Sequence, residues 1–396
     1  MPTEMTHRTS DELMVLDRDH QIPLYAKRDI VLVRGEGAYL YDNDGKRYLD
    51  AMSNYGVAIL GHAHPRYTQA LIEQAQTLTT THQSFGNDAR SVFLETLDTI
   101  APEGVKKTFL SNSGTEAIEA ALKFARAATG REKIVAARRG YHGRSFGALS
   151  ATADKKYREP FMPMAIPAQH VAFNDADALE AAVDDGTAAV ILEPLQGEGG
   201  IHLADAEFLQ RAREVTQAKG ALLIADEVQS AIRTGVPFMT VEAGVTPDII
   251  ATAKAIANGF PIGVTLVTET ISEAMPGGAH GSTFGGNPLA CRVGTETLRI
   301  LEEDGLYENA RTLGESIRTG IEVMGSSKVR AVRGSGFMIG IELKSRATPT
   351  LKALQDRGVL ALMAGNLVIR LLPPMIWQQE QVDELLGVLG EVLGDS

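Results

Sequence analysis

Length, composition and charge already exclude several classes of protein. The chain has 396 residues, 44% of them hydrophobic, as expected for a soluble globular protein with two or three units around sizeable cores. Its net charge of -12 argues against nucleic-acid binding, which needs clusters of Lys and Arg. The single cysteine, Cys291, excludes internal disulfides, and residues 1–20 lack the apolar core of a signal peptide. We therefore expect a cytoplasmic protein without membrane spans.

The N-terminal part predicts a small β structure. Residues 34–50 ("RGEGAYLYDNDGKRYLD") read as a hairpin of period two, with its turn at residues 43–45. Further on, "GHAHP" places His62 and His64 close together. Without other well-spaced ligands, this pair is more typical of a loop anchor than of a metal site, so no metal is expected.

The central part, from about residue 60 to 290, alternates amphipathic helices with short apolar strands. Residues 206–220 predict a helix closed by Gly220, and buried strands are predicted at 188–194, 220–228, 247–254 and 261–269. This alternation indicates a largely parallel sheet covered on both faces, an α/β fold. Ligands of such sheets bind beyond the carboxyl ends of the strands. Three polar residues, Glu193, Asp226 and Lys254, stand at or just after such ends.

The C-terminal hundred residues mix helices with strands at 329–343 and 365–374, an α+β arrangement. We therefore divide the chain into a large α/β domain (59–290) and a smaller domain built from both termini (1–58 and 291–396).

Residues 111–128 ("SNSGTEAIEAALKFARAA") predict a loop that runs into a helix. Ser113 and Glu116 match a capping box, and Glu119 and Lys123 are spaced for an i,i+4 ion pair. A well-capped helix alone would explain the pattern. Alternatively, Gly114 allows close backbone approach, and the amides at this helix N-terminus hold a phosphate.

Two charged residues in apolar surroundings need partners. Asp226 follows four apolar residues, where a carboxylate is costly unless it meets a cation or strong donor. Its partner is either a structural cation or a ring nitrogen that must stay protonated, as in pyridoxal phosphate. Lys254 is either a surface lysine or a partly desolvated nucleophile that forms a Schiff base.

Several glycine-rich loops add weaker signals. In "GYHGRS", Tyr141 is suited to stack on a flat ring, and Arg144 to bind a carboxylate. "EPLQGEGG" (193–200) holds two glutamates, and "HGSTFGGNP" (280–288) offers two hydroxyls.

Together and in this order, these segments resemble the class III pyridoxal-phosphate-dependent aminotransferases of fold type I, the aspartate-aminotransferase-like fold. The resemblance covers nearly the whole chain and is strongest to the acetylornithine aminotransferase branch. The resemblance implies transfer of the ω-amino group of N-acetylornithine to 2-oxoglutarate, in arginine or lysine biosynthesis; the alternatives within the family are a LysW-aminoadipate-semialdehyde transaminase and another ω-aminotransferase, acting on ornithine or 4-aminobutyrate. Alternatives of a different class are other reactions on the same cofactor and fold, such as those of aminomutases, racemases or decarboxylases, and a non-catalytic binding protein.

The resemblance also implies roles for individual residues. Lys254 would carry the cofactor, Asp226 would pair with its ring nitrogen, and Gln229 would approach its 3-oxygen. Ser113, Gly114 and Thr115 would bind the phosphate, together with Thr283 from the neighbouring subunit of a homodimer. Tyr141 would stack on the ring, and Glu193 would form part of the active-site wall. Substrate contacts are implied for Tyr25, Tyr55, Arg144 and Ser282.

The same resemblance implies a device for two different substrates. Glu198 and Arg370 match a glutamate and an arginine that pair when an ω-amino substrate is bound and separate when glutamate or 2-oxoglutarate is bound. "KYREPFMPM" (156–164) also resembles lysine-pathway relatives, whose substrate is attached to a small acidic carrier protein of the LysW type. If the chain uses such a carrier, Lys and Arg should line the pocket mouth.

Overall fold

The computed structural model describes residues 8–394; residues 1–7, part of the polar N-terminal segment discussed above, and 395–396 lie outside them. The first elements are α1 (Ser10–His20), β1 (Leu32–Glu36), β2 (Tyr39–Asp42) and β3 (Arg47–Asp50). The predicted hairpin is thus the second half of a three-stranded antiparallel meander, with the turn at residues 43–45 as expected. The extra strand arises because the chain also turns at Gly37, whose φ is +54°.

The central region alternates helices and strands as predicted, although most strands are shorter than their apolar runs. The elements are α2 (Ser53–Gly56), α3 (Pro65–Thr77), α4 (Asp88–Ile100), β4 (Lys107–Ser111), α5 (Gly114–Thr129), β5 (Lys133–Ala137), α6 (Phe146–Ala151), α7 (Lys155–Arg158), β6 (Ala168–Val171), α8 (Ala176–Ala182), β7 (Thr187–Leu192), β8 (Leu195–Gln196), β9 (His202–Leu203), α9 (Ala206–Lys219), β10 (Leu222–Asp226), α10 (Met239–Glu242), β11 (Ile249–Thr252), β12 (Gly263–Val267) and α11 (Glu269–Glu273). Gly220 ends α9 in the left-handed conformation, as expected.

Seven strands of this region form the central sheet in the order β4-β12-β11-β10-β7-β5-β6. The pairs among β11, β10, β7, β5 and β6 are parallel, whereas β12 runs antiparallel to both β11 and β4. Strand β7 is buried along its whole length, because helices cover both faces of the sheet. The sheet is therefore mostly parallel, as predicted, and the loops after its parallel strands meet at one edge.

The C-terminal region consists of α12 (Pro288–Glu303), α13 (Leu306–Val323), β13 (Val329–Ser335), β14 (Met338–Leu343), α14 (Thr348–Asp356), β15 (Val359–Leu360), β16 (Leu362–Ala364), β17 (Val368–Leu371) and α15 (Gln379–Leu393). Its sheet has the order β13-β14-β17-β16, and β15 joins the N-terminal meander beside β3. This pairing favours a small domain built from both termini. The division at residues 58 and 290 stays a proposal, and α12 crosses the second boundary.

The two regions share an apolar core. Helix α12 packs against α3 and α4, and its buried face belongs to the same hydrophobic cluster as Trp377 and Phe337. Within residues 8–394, no helix combines the length and the apolar character needed to cross a bilayer.

Candidate active site

A pocket of about 580 Å³ opens at the carboxyl edge of the central sheet. The loops after β4, β5, β7, β10 and β11 supply most of its wall, as the strand order requires. Most of the predicted site residues line it: Tyr25, Tyr55, Ser113, Gly114, Thr115, Tyr141, Arg144, Glu193, Glu198, Asp226, Gln229 and Lys254. Residues from distant parts of the sequence thus meet at one site.

Lys254 stands in the pocket wall just after β11. It begins a short 3₁₀ turn, Lys254–Ala257, and has a positive φ of +42°, which is uncommon for a lysine. Burial lowers its pKa below the usual lysine value, although the negative charges of Glu198 and Asp226 act to raise it. Such strain and desolvation concentrate at functional sites, which favours a nucleophilic amine over a surface lysine.

Asp226 ends β10 and is buried with a histidine that the sequence analysis did not single out. His142 Nδ1 lies 2.6 Å from Asp226 Oδ2, and the Val228 amide donates to Oδ1 at 3.0 Å. Burial acts to lower the pKa of His142, but the hydrogen bond and charge of Asp226 together raise it. Because these two residues lie 84 positions apart, no local pattern links them.

The N-terminus of α5 forms another wall of the pocket. Ser113 is its N-cap and accepts a hydrogen bond from the Glu116 amide, but the Glu116 carboxylate binds the Asn112 amide and the Ser113 hydroxyl rather than the Ser113 amide. The capping box is therefore only half formed. A Cβ at Gly114 would lie 2.6 Å from Val228 Cγ1, so only glycine allows this close approach.

The predicted pair of Glu119 and Lys123 is wrong. Glu119 Oε1 instead accepts the amides of Gly147 at 2.8 Å and Ala148 at 3.0 Å, and Lys123 Nζ lies 2.9 Å from His280 Nδ1. Tertiary contacts outweigh the weak helical pair here, and Glu119 fixes the start of α6, just after the loop that carries Tyr141 and Arg144.

An aromatic and cationic group lies at one side of the pocket. The rings of Tyr141 and Tyr157 meet edge to face at 5.7 Å, and the guanidinium of Arg144 lies 4.8 Å from the Tyr157 ring centroid. Burial raises the pKa of Tyr141, so it stays a neutral ring near pH 7. Tyr157 also lines the pocket, although the sequence did not predict it as a site residue.

Glu193 holds two loops together through their backbones. Its Oε1 accepts the Tyr141 amide at 2.8 Å, and its Oε2 accepts the Gly197 amide at 3.2 Å. Burial, opposed by the charge of His142, raises the pKa of Glu193 to about 7. Glu193 therefore positions the residues around it as well as lining the pocket.

Glu198 and Arg370 form the ion pair that the resemblance implied. Arg370 Nη1 donates to Glu198 Oε1 at 2.6 Å and to Gln229 Oε1 at 3.2 Å. Arg370 is fully buried, and its Nε and Nη2 have no hydrogen-bond partner among the described residues. The Tyr55 ring lies 5.4 Å from the guanidinium, at the pocket wall.

The short segment α2, which carries Tyr55, has an unusual backbone conformation. Ser53, Asn54 and Tyr55 all have positive φ values of 38–60°. Asp50 accepts the Ser53 amide at 2.8 Å, and the Ser53 hydroxyl donates to the Leu372 carbonyl at 2.6 Å. These contacts tie Tyr55 to the strand end that carries Arg370.

Ser282 and Thr283 do not line the pocket of their own chain. Ser282 Oγ accepts a hydrogen bond from Asn112 Nδ2 at 2.9 Å, and Asn112 does line the pocket. Thr283 is exposed.

The comparisons with known proteins agree with this geometry. The model of the family "Aminotransferase class-III" matches residues 24–393. This chain belongs to the class III aminotransferases. The aminotransferase is 45% identical to the [LysW]-aminoadipate semialdehyde transaminase of Deinococcus radiodurans, over 96% of this chain and 90% of that protein.

Two further relatives extend the comparison. The acetylornithine aminotransferase of Methanothermobacter thermautotrophicus is 38% identical, over 98% of this aminotransferase and 99% of that protein. The ornithine aminotransferase structure from Toxoplasma gondii has a TM-score of 0.93 at 30% identity, over 98% of this chain and 95% of that one. The predicted fold type, transaminase activity and pyridoxal phosphate are thereby confirmed.

The residues of the pocket fit pyridoxal phosphate. Asp226 provides a buried carboxylate for a protonated ring nitrogen, and Lys254 provides an amine with a lowered pKa. The amides that begin α5 suit the phosphate, and the Tyr141 ring offers an apolar face.

Proposed function

We propose that this aminotransferase moves the ω-amino group of N-acetylornithine, or of a carrier-linked lysine or ornithine analogue, to 2-oxoglutarate, which yields a semialdehyde and glutamate. The observation that carries this proposal is the buried Arg370 paired with the partly exposed Glu198 at the pocket. The names of the relatives support both forms of the substrate. Both candidate donors carry a free ω-amine, and in N-acetylornithine the α-amine is acylated.

The cofactor and the protein divide the chemistry. When bound, pyridoxal phosphate supplies an aldehyde that accepts amino groups and a ring that withdraws electrons from the substrate carbon. Lys254 would take a proton from the substrate carbon as general base and donate it again as general acid, a role that its lowered pKa favours. Asp226, which His142 orients, would pair with the ring nitrogen of the bound cofactor and favour its protonated form. Glu193 holds the backbone of Tyr141, whose side chain forms part of the pocket wall.

The ion pair adapts the pocket to its two substrates. An ω-amine donor brings no α-carboxylate to the reacting carbon, so Glu198 neutralises Arg370 while the donor is bound. Glutamate and 2-oxoglutarate do bring this carboxylate, and Arg370 then binds it once Glu198 has moved away. The exposed side of Glu198 leaves room for this movement. Arg144 binds the other carboxylate.

We also infer a homodimer with shared active sites. Thr283 is exposed and lies outside the pocket of its own chain, so it reaches a phosphate only if it belongs to the partner's site. A strictly monomeric species in light scattering would contradict this inference. The cytoplasmic location stays a prediction.

The test follows the visible absorption of the purified holoenzyme while candidate donors are added. N-acetylornithine, ornithine and 4-aminobutyrate are compared, and 2-oxoglutarate is added afterwards. We expect the N-acylated donor to react at the lowest concentration and 2-oxoglutarate to restore the original spectrum. A preference for donors with a free α-amine would contradict the proposal.

A further inference from the structure

A second fully buried arginine, Arg233, stands in the segment that follows β10 and has no role in the chemistry described above. Its Nη1 donates to the carbonyls of Phe337 at 3.1 Å and Pro373 at 2.9 Å, and its Nη2 donates to the Ser53 hydroxyl at 2.8 Å. Burial lowers the pKa of Arg233 to about 9. A buried cation that meets neutral oxygens is costly, so the fold needs these contacts for another reason.

The acceptors of Arg233 come from distant parts of the chain. Ser53 begins α2, which carries Tyr55, and Pro373 follows β17, the strand that carries Arg370. Arg233 therefore joins the segment after β10 to the two short stretches that place Tyr55 and Arg370 beside each other.

The backbone of α2 is strained and needs support from its surroundings. Ser53, Asn54 and Tyr55 have φ values of +38°, +50° and +60°, which non-glycine residues seldom adopt. Such a conformation persists only where neighbouring contacts over-determine it. The Ser53 hydroxyl provides two of these contacts, since it accepts from Arg233 Nη2 and donates to the Leu372 carbonyl at 2.6 Å. Removing this hydroxyl would release the turn from both Arg233 and the end of β17.

Two further contacts fit the same arrangement. Gly56, at the end of α2, leaves room for Arg233, because a Cβ at this position would lie 2.9 Å from Arg233 Nε. Asp50 Oδ1 accepts the Ser53 amide at 2.8 Å, and Asp50 Oδ2 lies 2.7 Å from His62 Nε2. His62, from the "GHAHP" loop, thus fixes the carboxylate that holds the start of the turn.

Arg370 depends on this turn most when Glu198 is away. In the structure, Glu198 Oε1 lies 2.6 Å from Arg370 Nη1 and fixes the guanidinium. Once Glu198 has moved, the remaining contacts of the guanidinium among residues 8–394 are Gln229 Oε1 at 3.2 Å and the Tyr55 ring at 5.4 Å. A displaced Tyr55 would therefore loosen Arg370 in the half-reaction that uses its charge.

We propose that Arg233 and Ser53 are positioning residues for the recognition of glutamate and 2-oxoglutarate. They hold the strained turn that carries Tyr55, and Tyr55 in turn keeps Arg370 directed at the α-carboxylate while Glu198 is away. Neither Arg233 nor Ser53 is among the residues that line the pocket, so both act through other side chains. This inference rests on the proposed function, because it takes Arg370 as the group that receives the α-carboxylate.

The experiment measures both half-reactions of the Ser53→Ala holoenzyme by stopped-flow absorbance. Alanine keeps the Cβ and removes the hydroxyl alone. We expect kcat/KM for glutamate to fall about tenfold, mainly through a higher KM, because the carboxylate meets a misplaced guanidinium. The value for N-acetylornithine should change by less than about threefold, since Glu198 still holds Arg370 in that half-reaction.

Two other variants locate the effect. Arg233→Lys keeps the positive charge but loses the planar fork, so it should show the same preference for loss with glutamate. Ser326→Ala is the matched control, because Ser326 is also buried and its hydroxyl donates to a backbone carbonyl, that of Leu393 at the end of α15. This control should change both half-reactions by the same factor. The readout is a ratio of two substrates on each enzyme, so it is independent of the amount of folded protein.

The outcomes separate the two claims. Equal losses with glutamate and N-acetylornithine in Ser53→Ala, or a larger loss with N-acetylornithine, would overturn the positioning role while the wild-type enzyme still reacts with both substrates. If the wild-type enzyme takes no amino group from N-acetylornithine, the proposed function fails, and this inference fails with it.

Discussion

Replacing Glu198 by alanine should separate the two half-reactions of the enzyme. In the wild-type protein, Arg370 is fully buried and its charge is balanced by Glu198 at 2.6 Å. Gln229 is its other side-chain partner, at 3.2 Å. In Glu198→Ala the buried guanidinium, next to the pocket-lining Gln229, therefore has no countercharge unless the substrate brings one.

The size of the effect follows from this burial. Removing one partner of a fully buried ion pair costs about 3–5 kcal/mol, and the cost here falls below this range, at about 1.4–2.7 kcal/mol, because Glu198 itself keeps 29% of its side-chain surface exposed. An ω-amine donor meets this unbalanced charge, so its kcat/KM should fall by roughly 10- to 100-fold. Glutamate supplies its own α-carboxylate to Arg370, so its kcat/KM should change by less than about threefold.

Stopped-flow absorbance of each half-reaction measures the two effects separately. Glu198→Gln serves as the control of similar shape, and it should show the same asymmetry because it also lacks the negative charge. Equal losses with N-acetylornithine and glutamate would refute the switch and leave Glu198 as a merely structural partner of Arg370.

Three other substitutions test the rest of the site. Gly114→Ala should weaken cofactor binding about tenfold in equilibrium dialysis, because the new Cβ would lie 2.6 Å from Val228 Cγ1 and displace the start of α5; unchanged affinity would contradict this role. Lys254→Ala should slow both half-reactions by about 10²- to 10⁴-fold, measured in single turnovers, and a normal rate would exclude Lys254 as the proton carrier. Glu193 has its pKa raised to about 7 from an ordinary value of 4.5, so the folded state holds the extra proton and loses stability as pH rises between these values. The decline in the free energy of unfolding over this range should therefore be smaller in Glu193→Gln, as urea titrations at several pH values would show, and an unchanged slope would disprove the shift.

The alternation of the central strands could be predicted from the sequence because buried parallel strands are continuous apolar runs. The runs around Asp226 and Lys254 therefore placed both residues at the correct edge of the sheet. The direction of β12 could not be predicted, since an antiparallel buried strand has the same composition as a parallel one. The extra N-terminal strand was missed for a similar reason, as Gly37 gives a weaker turn signal than residues 43–45.

The site was predictable where a residue stands in a local motif and unpredictable where it depends on distant contacts. Ser113 and Gly114 stand in a recognisable loop before a helix. His142 could not be predicted because its partner, Asp226, is far along the chain. Glu119 binds backbone amides of α6 instead of its predicted partner, Lys123.

The most direct test of the central claim is one spectral titration. The visible absorption of the holoenzyme is recorded during addition of N-acetylornithine and then of 2-oxoglutarate. The proposed function predicts loss of the yellow band with the donor and its full return with the acceptor. The assignment as an ω-aminotransferase would be contradicted if N-acylated ω-amines left the spectrum unchanged while free α-amino acids other than glutamate changed it.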